Sequence, residues 1–354
     1  MNEIHIIGLM SGTSLDGLDL AYCKFSSQES LAFEIIHSQT VSYTKEWKAR
    51  LASGISLSKE ELESLSLDFG TFMAEHLNDF IELHKIEKID AIASHGHTVF
   101  HQPQNGITLQ VGDPKPMYDV VHKPIVWDFR SQDVAMGGQG APLVPIADKL
   151  LFATYDACLN LGGFSNISFE EKGRRIAFDI CPVNIVMNVL SEQLGQPYDD
   201  KGDFARVGNI DEDLLQALNQ LDYYNQAPPK SLGLEWVQAH VKPLLELHRI
   251  PVEDQLRTFV EHVAIQISNI AEEKNLGSVL ITGGGAYNRF LMERLSSFKP
   301  NIWILGSREL IEFKEAMVFA FLAYLRLNDC VNVLSSVTGA KKDHVSGRIF
   351  AGDC

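Results

Sequence analysis

The sequence predicts an α/β protein made of two halves of similar order, with an active-site cleft between them. Three observations predict it. Each half opens on strand-like runs joined by a glycine turn, IIGLMSGTSLDGLDLAYCKF at 6–25 and YDACLNLGGFSNISFEEKGRRIAFDI at 155–180. Each then carries a long helical stretch and a further apolar strand. At 354 residues the chain is also long for a single core, so two domains are expected.

In the first half, Ile4, Ile6, Ile7 and Leu9 read as a strand, Leu18 to Phe25 as a second and EIIHSQTVSY (34–43) as a third. Residues 57–84 place Leu62, Leu65, Phe69, Phe72, Met73, Leu77 and Phe80 at helical spacing, with Ser58 and Glu61 offering a capping box. IDAIASHGHTVFH (89–101) reads as a buried strand running into a polar loop. In the second half, strand, Gly-Gly turn, strand, turn and strand fill 155–180. A helical stretch follows at 254–275, then the strand SVLIT (278–282), then Gly283-Gly284-Gly285 opening a helix at Asn288–Leu295. The Pro-bearing stretch around Gly137–Pro145 is the expected first crossing between the halves.

Composition narrows the function classes. Hydrophobic residues at 45% and charged residues at 21% describe an ordinary globular protein. A net charge of −16, with Arg174-Arg175 and Lys341-Lys342 as the basic clusters, argues against nucleic acid as a partner. The sequence shows neither an 18-residue uncharged apolar run nor a basic-then-apolar leader, so no membrane partner is expected. Cys23, Cys158, Cys181, Cys330 and Cys354 are odd in number and widely spread, which reads as reduced thiols in a cytoplasmic protein.

The loop Gly12, Thr13, Ser14, Leu15, Asp16, Gly17, Leu18, Asp19 is the most informative motif. Small residues at a strand turn let backbone N–H groups wrap an anion. Asp16 and Asp19 repel bare phosphate but suit a phosphate arriving with Mg²⁺. Gly12 and Gly17 have P-loop spacing, yet Leu18-Asp19 stands where Lys-Ser/Thr belongs, so a hairpin loop fits better. By itself the motif reads better as an ordinary glycine-containing β-turn.

Six further features bear on chemistry. His95 and His97 would point the same way in an extended strand, with His101 beyond them. A metal site is conceivable there, and a substrate-facing role is preferred. Asp128, Arg130 and Asp133 follow an apolar strand and precede Gly137-Gly138-Gln139-Gly140, where they would clamp hydroxyls and an anionic group. The bland reading is a surface Asp–Arg pair. Gly162-Gly163 makes a second candidate phosphate loop. Asp179 is placed at a strand end, where a general base is reasonable but local evidence favours a simple cap or turn former. Gly283, Gly284 and Gly285 lie between strand and helix without the Rossmann spacing, because Asn288 stands where its last glycine belongs. Glu315 is read as opening the apolar helix EAMVFAFLAYLRL, where it would complement the dipole.

MSGTSLDGLD, SHGHT, DFRSQDVAMGGQGAPLVP, NLGGFSNIS, PPKSLGLEW, GGGAYNRFLMERL and EAMVFAFLA occur in this order over essentially the whole chain. In these motifs the chain resembles the anhydro-N-acetylmuramic acid kinase family of the acetate and sugar kinase/Hsp70/actin superfamily. The resemblance implies two actin-like (ribonuclease H-like) domains, 1–140 with about 312–354 and about 141–311. It implies ATP with Mg²⁺ held by Gly12–Asp19, Gly162, Gly163 and Gly283–Gly285. It implies 1,6-anhydro-N-acetylmuramic acid as substrate, opened by water and phosphorylated on O6. Asp179 matches the catalytic base, and His95, His97, Asp128, Arg130, Asp133 and Glu315 lie in substrate-binding motifs. A homodimer in the cytoplasm is expected. Where the family reads Asp-Thr-Gly-Pro-Gly-Asn this chain has Asp179-Ile180-Cys181-Pro182-Val183-Asn184, and the glutamine of SHGQT is His97. Lost glycines would put Cβ atoms beside the base. The rivals are a kinase for a related amino sugar, an actin-like ATP-binding regulator and a metal hydrolase on His95, His97 and His101.

Overall fold

The computed structural model describes residues 3–27 and 31–352. In chain order its strands are β1 (Ile4–Ser11), β2 (Gly17–Ser26), β3 (Ala32–Ser42), β4 (Ala91–Gln102), β5 (Ile107–Val111) and β6 (Ile125–Trp127). They continue as β7 (Ala157–Leu161), β8 (Phe164–Glu171), β9 (Arg174–Pro182), β10 (Val279–Thr282), β11 (Trp303–Leu305) and β12 (Arg348–Phe350). Contacts divide the chain into two compact units, Met1–Leu151 with Phe313–Cys354, and Phe152–Glu312.

Each unit holds one sheet. The first runs β12-β6-β4-β1-β2-β3 with β5 beside β4, and the second runs β11-β10-β7-β8-β9. β1, β2 and β3 are antiparallel neighbours, while β4 lies parallel to both β1 and β6. β7, β8 and β9 repeat the antiparallel set, and β10 lies parallel to β7 and β11. The two sheets thus repeat one strand order, as the duplicated sequence pattern anticipated, and it is the ribonuclease H-like plan that the resemblance implied. Parallel neighbours require helical crossovers. The helix Lys59–His84 precedes β4, and the helix Val252–Glu273 precedes β10.

Ser58 and Glu61 form the anticipated capping box at the start of Lys59–His84. Phe69, Met73, Leu77 and Phe80 of this helix pack with Ile7, Leu9, Leu18 and Leu20 of the sheet. The other face of β1 lies under the helix Arg308–Leu327, so close that a Cβ on Gly8 would stand 2.0 Å from the Ala316 carbonyl oxygen. In the second unit Leu159, Leu161 and Ile167 meet Phe259, Val260, Val263 and Ile267.

The helix Pro145–Leu151, which the sequence division gave to the second half, goes with the first unit. Its Asp148 pairs with Lys314 at 2.7 Å, both side chains buried. Among the described residues no helix is long and apolar enough to cross a membrane.

Candidate active site

The loop between β1 and β2 is a tight hairpin turn. Leu15 N–H donates to the Gly12 carbonyl at 3.2 Å, and Leu15 takes a left-handed φ of 58°. Thr13, Ser14 and Asp16 are exposed at its tip. Gly17 admits no side chain, because a Cβ would lie 2.5 Å from the Val41 carbonyl oxygen. Leu18 departs from its expected place among nucleotide contacts: its side chain is fully buried in the core. Asp19 accepts from the Thr40 hydroxyl at 2.6 Å.

The two histidines of β4 do not share a face. Ser94 meets Met73 of the long helix, so regular alternation would turn both His95 and His97 away from that helix. Gly96 has φ +68°, and the β1/β4 register slips between Leu9 and Ser11. His97 therefore returns to the Phe69 side, while His95 lies against Phe319. Both side chains are buried. His97 Nδ1 meets Ser11 Oγ at 2.9 Å, Ser11 accepts from Tyr43, and burial brings the His97 imidazole down to about 4.

His95 holds Arg130. Arg130 Nε donates to His95 Nε2 at 3.0 Å, so the ring carries its proton on Nδ1, which donates to the Gly96 carbonyl at 2.9 Å. Burial, then Arg130, keeps His95 neutral well below the ordinary histidine range. Arg130 also donates from Nη1 to the Gly140 carbonyl at 2.8 Å, which among the described residues leaves most of its fork without a protein hydrogen bond. Its guanidinium, brought down to about 10 by burial, is stabilised as the cation by Glu315 and Asp133. Glu315 is not at a helix start: the helix begins at Arg308, and Glu315 stands mid-helix. It is open to solvent yet ringed by protein, and that burial raises its carboxyl against the pull of Arg130 and Lys314.

Asp133 and Asp128 have structural partners. Asp133 is fully buried, accepting from Thr338 Oγ1 and from Gly140 N–H, each at 2.7 Å. Its carboxylate folds over Gly138, where a Cβ would stand 2.1 Å away. The glycines of 137–140 thus wrap a buried carboxylate, and Asp133 is not positioned to touch substrate. Asp128 accepts from Ser131 N–H at 3.2 Å and pairs at 3.0 Å with Arg348, not with Arg130. It lines a cavity of about 250 Å³ with Ser94, His95, Gln110 and Trp127.

In the second unit the glycine loops interlock. Val183 N–H donates to Gly163 O at 2.8 Å, and Asn184 N–H to Gly162 O at 3.3 Å. Gly283, at φ +84°, lies where a Cβ would meet Asn160 Oδ1 at 2.6 Å and Leu161 O at 2.8 Å. A Cβ on Gly285 would meet Leu161 Cβ at 2.8 Å. Gly163 and Gly284 remain exposed on this assembly, leaving backbone that a ligand can approach closely.

Asp179 lies inside β9, which continues to Pro182 rather than ending at the aspartate. It pairs with Asn166 while Cys181 pairs with Ser165, so Ile180 is the extra residue of a bulge. Leu232 N–H donates to Asp179 Oδ2 at 2.8 Å. Oδ1 has no protein partner among the described residues. Burial raises the Asp179 carboxyl from its ordinary value, opposed by the Leu232 N–H.

Residues 4–352 match the family description of anhydro-N-acetylmuramic acid kinase. The chain belongs to the anhydro-N-acetylmuramic acid kinase family. It is accordingly a kinase. The curated family member of Sulfurovum sp. (strain NBC37-1) is 35% identical over 99% of this chain and 100% of its own length. That of Pseudomonas fluorescens (strain Pf0-1) is 35% identical over 97% and 98%. Among solved structures, the Acidaminococcus fermentans (R)-2-hydroxyglutaryl-CoA dehydratase component A is similar over 92% of this chain and 99% of its own. At 12% identity and a TM-score of 0.46 that likeness is too distant to decide a function.

Against the family pattern, the altered residues after Asp179 do not crowd it. Ile180, Cys181 and Val183 all turn into the hydrophobic core of the second unit. Burial pushes the Cys181 thiol up to about 12, so it stays protonated. Sequence reasoning missed the partners of these side chains: Ser11 and Tyr43 behind His97, Thr338 behind Asp133, and Tyr223, Lys230 and Leu232 around Asp179. PPKSLGLEW was visible as a motif, but nothing in its periodicity tied it to β9.

Proposed function

We propose that the protein uses ATP and Mg²⁺ to open 1,6-anhydro-N-acetylmuramic acid with water and phosphorylate O6. The products are N-acetylmuramic acid 6-phosphate and ADP. The observation that carries this reading is Asp179: one oxygen fixed by a backbone N–H, the other free, and the carboxyl made more basic by burial. Asp179 Oδ1 takes a proton from water as the water oxygen bonds to the anomeric carbon. The C1–O6 bond breaks with its electron pair going to O6. O6 then attacks the γ-phosphorus, and the bond to the β-phosphate oxygen breaks to release ADP.

Arg130 offers a preorganised fork to the carboxylate of the muramic acid, and Glu315 accepts from a sugar hydroxyl beside it. Gly12–Asp16, Gly162, Gly163, Gly283 and Gly284 supply backbone to the nucleotide. The donor set fits a phosphate-borne Mg²⁺: Asp16 is exposed at the loop tip, and Mg²⁺ commonly takes one or two carboxylates with phosphate and water. Bound there, the ion would neutralise charge on the transferring phosphoryl group. The same reading makes the protein a cytoplasmic homodimer salvaging a peptidoglycan turnover product.

A coupled ADP assay with Mg-ATP tests it. ADP release is expected only when the anhydro-sugar is present, with a sugar 6-phosphate found by ³¹P NMR. ADP release without sugar phosphate overturns the substrate, and absence of ATP binding overturns the reaction.

A further inference from the structure

The segment Tyr223–Leu232 touches Asp179 at every polar group except Oδ1. Tyr223 Oη donates to the Asp179 carbonyl at 2.6 Å, Asp179 N–H donates to the Lys230 carbonyl at 3.2 Å, and Leu232 N–H donates to Oδ2 at 2.8 Å. The segment is tied to itself by Lys230, whose Nζ donates to the Tyr223 carbonyl at 3.1 Å. The ammonium also sits 4.6 Å from the Tyr223 ring centroid and 5.7 Å from that of Phe178. Tyr223 is buried against Trp236.

We propose that Lys230 is a positioning residue for the base: its ammonium closes Tyr223–Leu232 into a strap that fixes Asp179 Oδ2 and leaves Oδ1 to accept the proton. The inference rests on Asp179 being the base of the reaction proposed above. Lys230 is half-buried, with its charge over two rings and on a carbonyl, and burial disfavours that charge; a loop needing only bulk would be served by an apolar residue. The remaining titratable groups around Asp179 do not supply the same control. Tyr223 and Tyr224 are pushed upward by burial and stay neutral, Cys181 stays a thiol, and Glu273 acts on Lys230 rather than on Asp179.

The test compares the pH dependence of kcat for wild type, Lys230→Met, Lys230→Arg, Tyr223→Phe and Asp179→Asn with Mg-ATP and the anhydro-sugar. Loosening the strap frees Oδ2 from its N–H, which removes stabilisation of the carboxylate. Lys230→Met is therefore expected to lower kcat about tenfold and move the acid limb up by about one pH unit. Its KM for ATP should be unchanged, and Lys230→Arg should restore most of the rate. Tyr223→Phe should move the limb in the same direction and keeps the test open if Lys230→Met does not fold. An unmoved limb in both variants overturns the strap. Wild-type turnover in Asp179→Asn instead overturns the base assignment itself.

Discussion

Arg130 gives its Nε–H to His95 Nε2 across 3.0 Å, and the histidine answers by turning Nδ1–H onto the next residue's carbonyl. The pair works only while His95 is neutral, since an imidazolium has no acceptor. His95 is thus the brace and Arg130 the hand. Arg130→Ala should lower kcat/KM for the sugar about a hundredfold, and His95→Phe about tenfold, the scale of one hydrogen bond to a charged group. The KM for ATP should stay constant. Equal losses in sugar and ATP affinity would contradict this division of roles.

The rate should fall on the acid side with one proton. A general base works only as the carboxylate, and burial holds Asp179 above the ordinary 3.8, so the acid limb of kcat/KM should lie above that value. A limb at or below 3.8, or one that survives in Asp179→Asn, would assign it to another group.

Acid should also loosen the fold through its buried histidines. His97 and His262 are held neutral by burial, at about 4 and about 3, against 6.5 when unfolded. The unfolded chain binds more protons between those values, so stability falls as pH drops from about 6.5 to 4. The slope is about 1.4 kcal/mol per pH unit for each group. Thermal midpoints across that range should drop, and His262→Gln should flatten the drop; an unchanged slope in that variant would remove His262 from the account.

Gly283 should tolerate no side chain. Its φ of +84° and the 2.6 Å approach to Asn160 Oδ1 make Gly283→Ala cost about 1–3 kcal/mol of local strain. The interlocked loops then move apart, and calorimetry should show weaker ATP binding with sugar affinity retained. Unaltered ATP binding would take these loops out of the nucleotide site.

The fold was legible because its signals are local. Period-two runs, glycine turns and the Ser58–Glu61 capping box each sit within a few residues, and the two sheets repeat the order those signals spelled. The site was legible only in part. His97 was misplaced because one left-handed glycine, Gly96, reverses the alternation on which strand reasoning depends. Asp133 was misread because its partner Thr338 lies far along the chain. Leu232 acts through its backbone N–H, which a residue name does not reveal.

The most direct measurement of the central claim is turnover of the anhydro-sugar with Mg-ATP in ¹⁸O-water, read by mass spectrometry before the anomeric oxygen exchanges. The account predicts one ¹⁸O at C1, none in the phosphate on O6, and loss of both labelled product and ADP in Asp179→Asn. Label arriving in the phosphate instead of at C1, or labelled sugar still formed by Asp179→Asn, would contradict it.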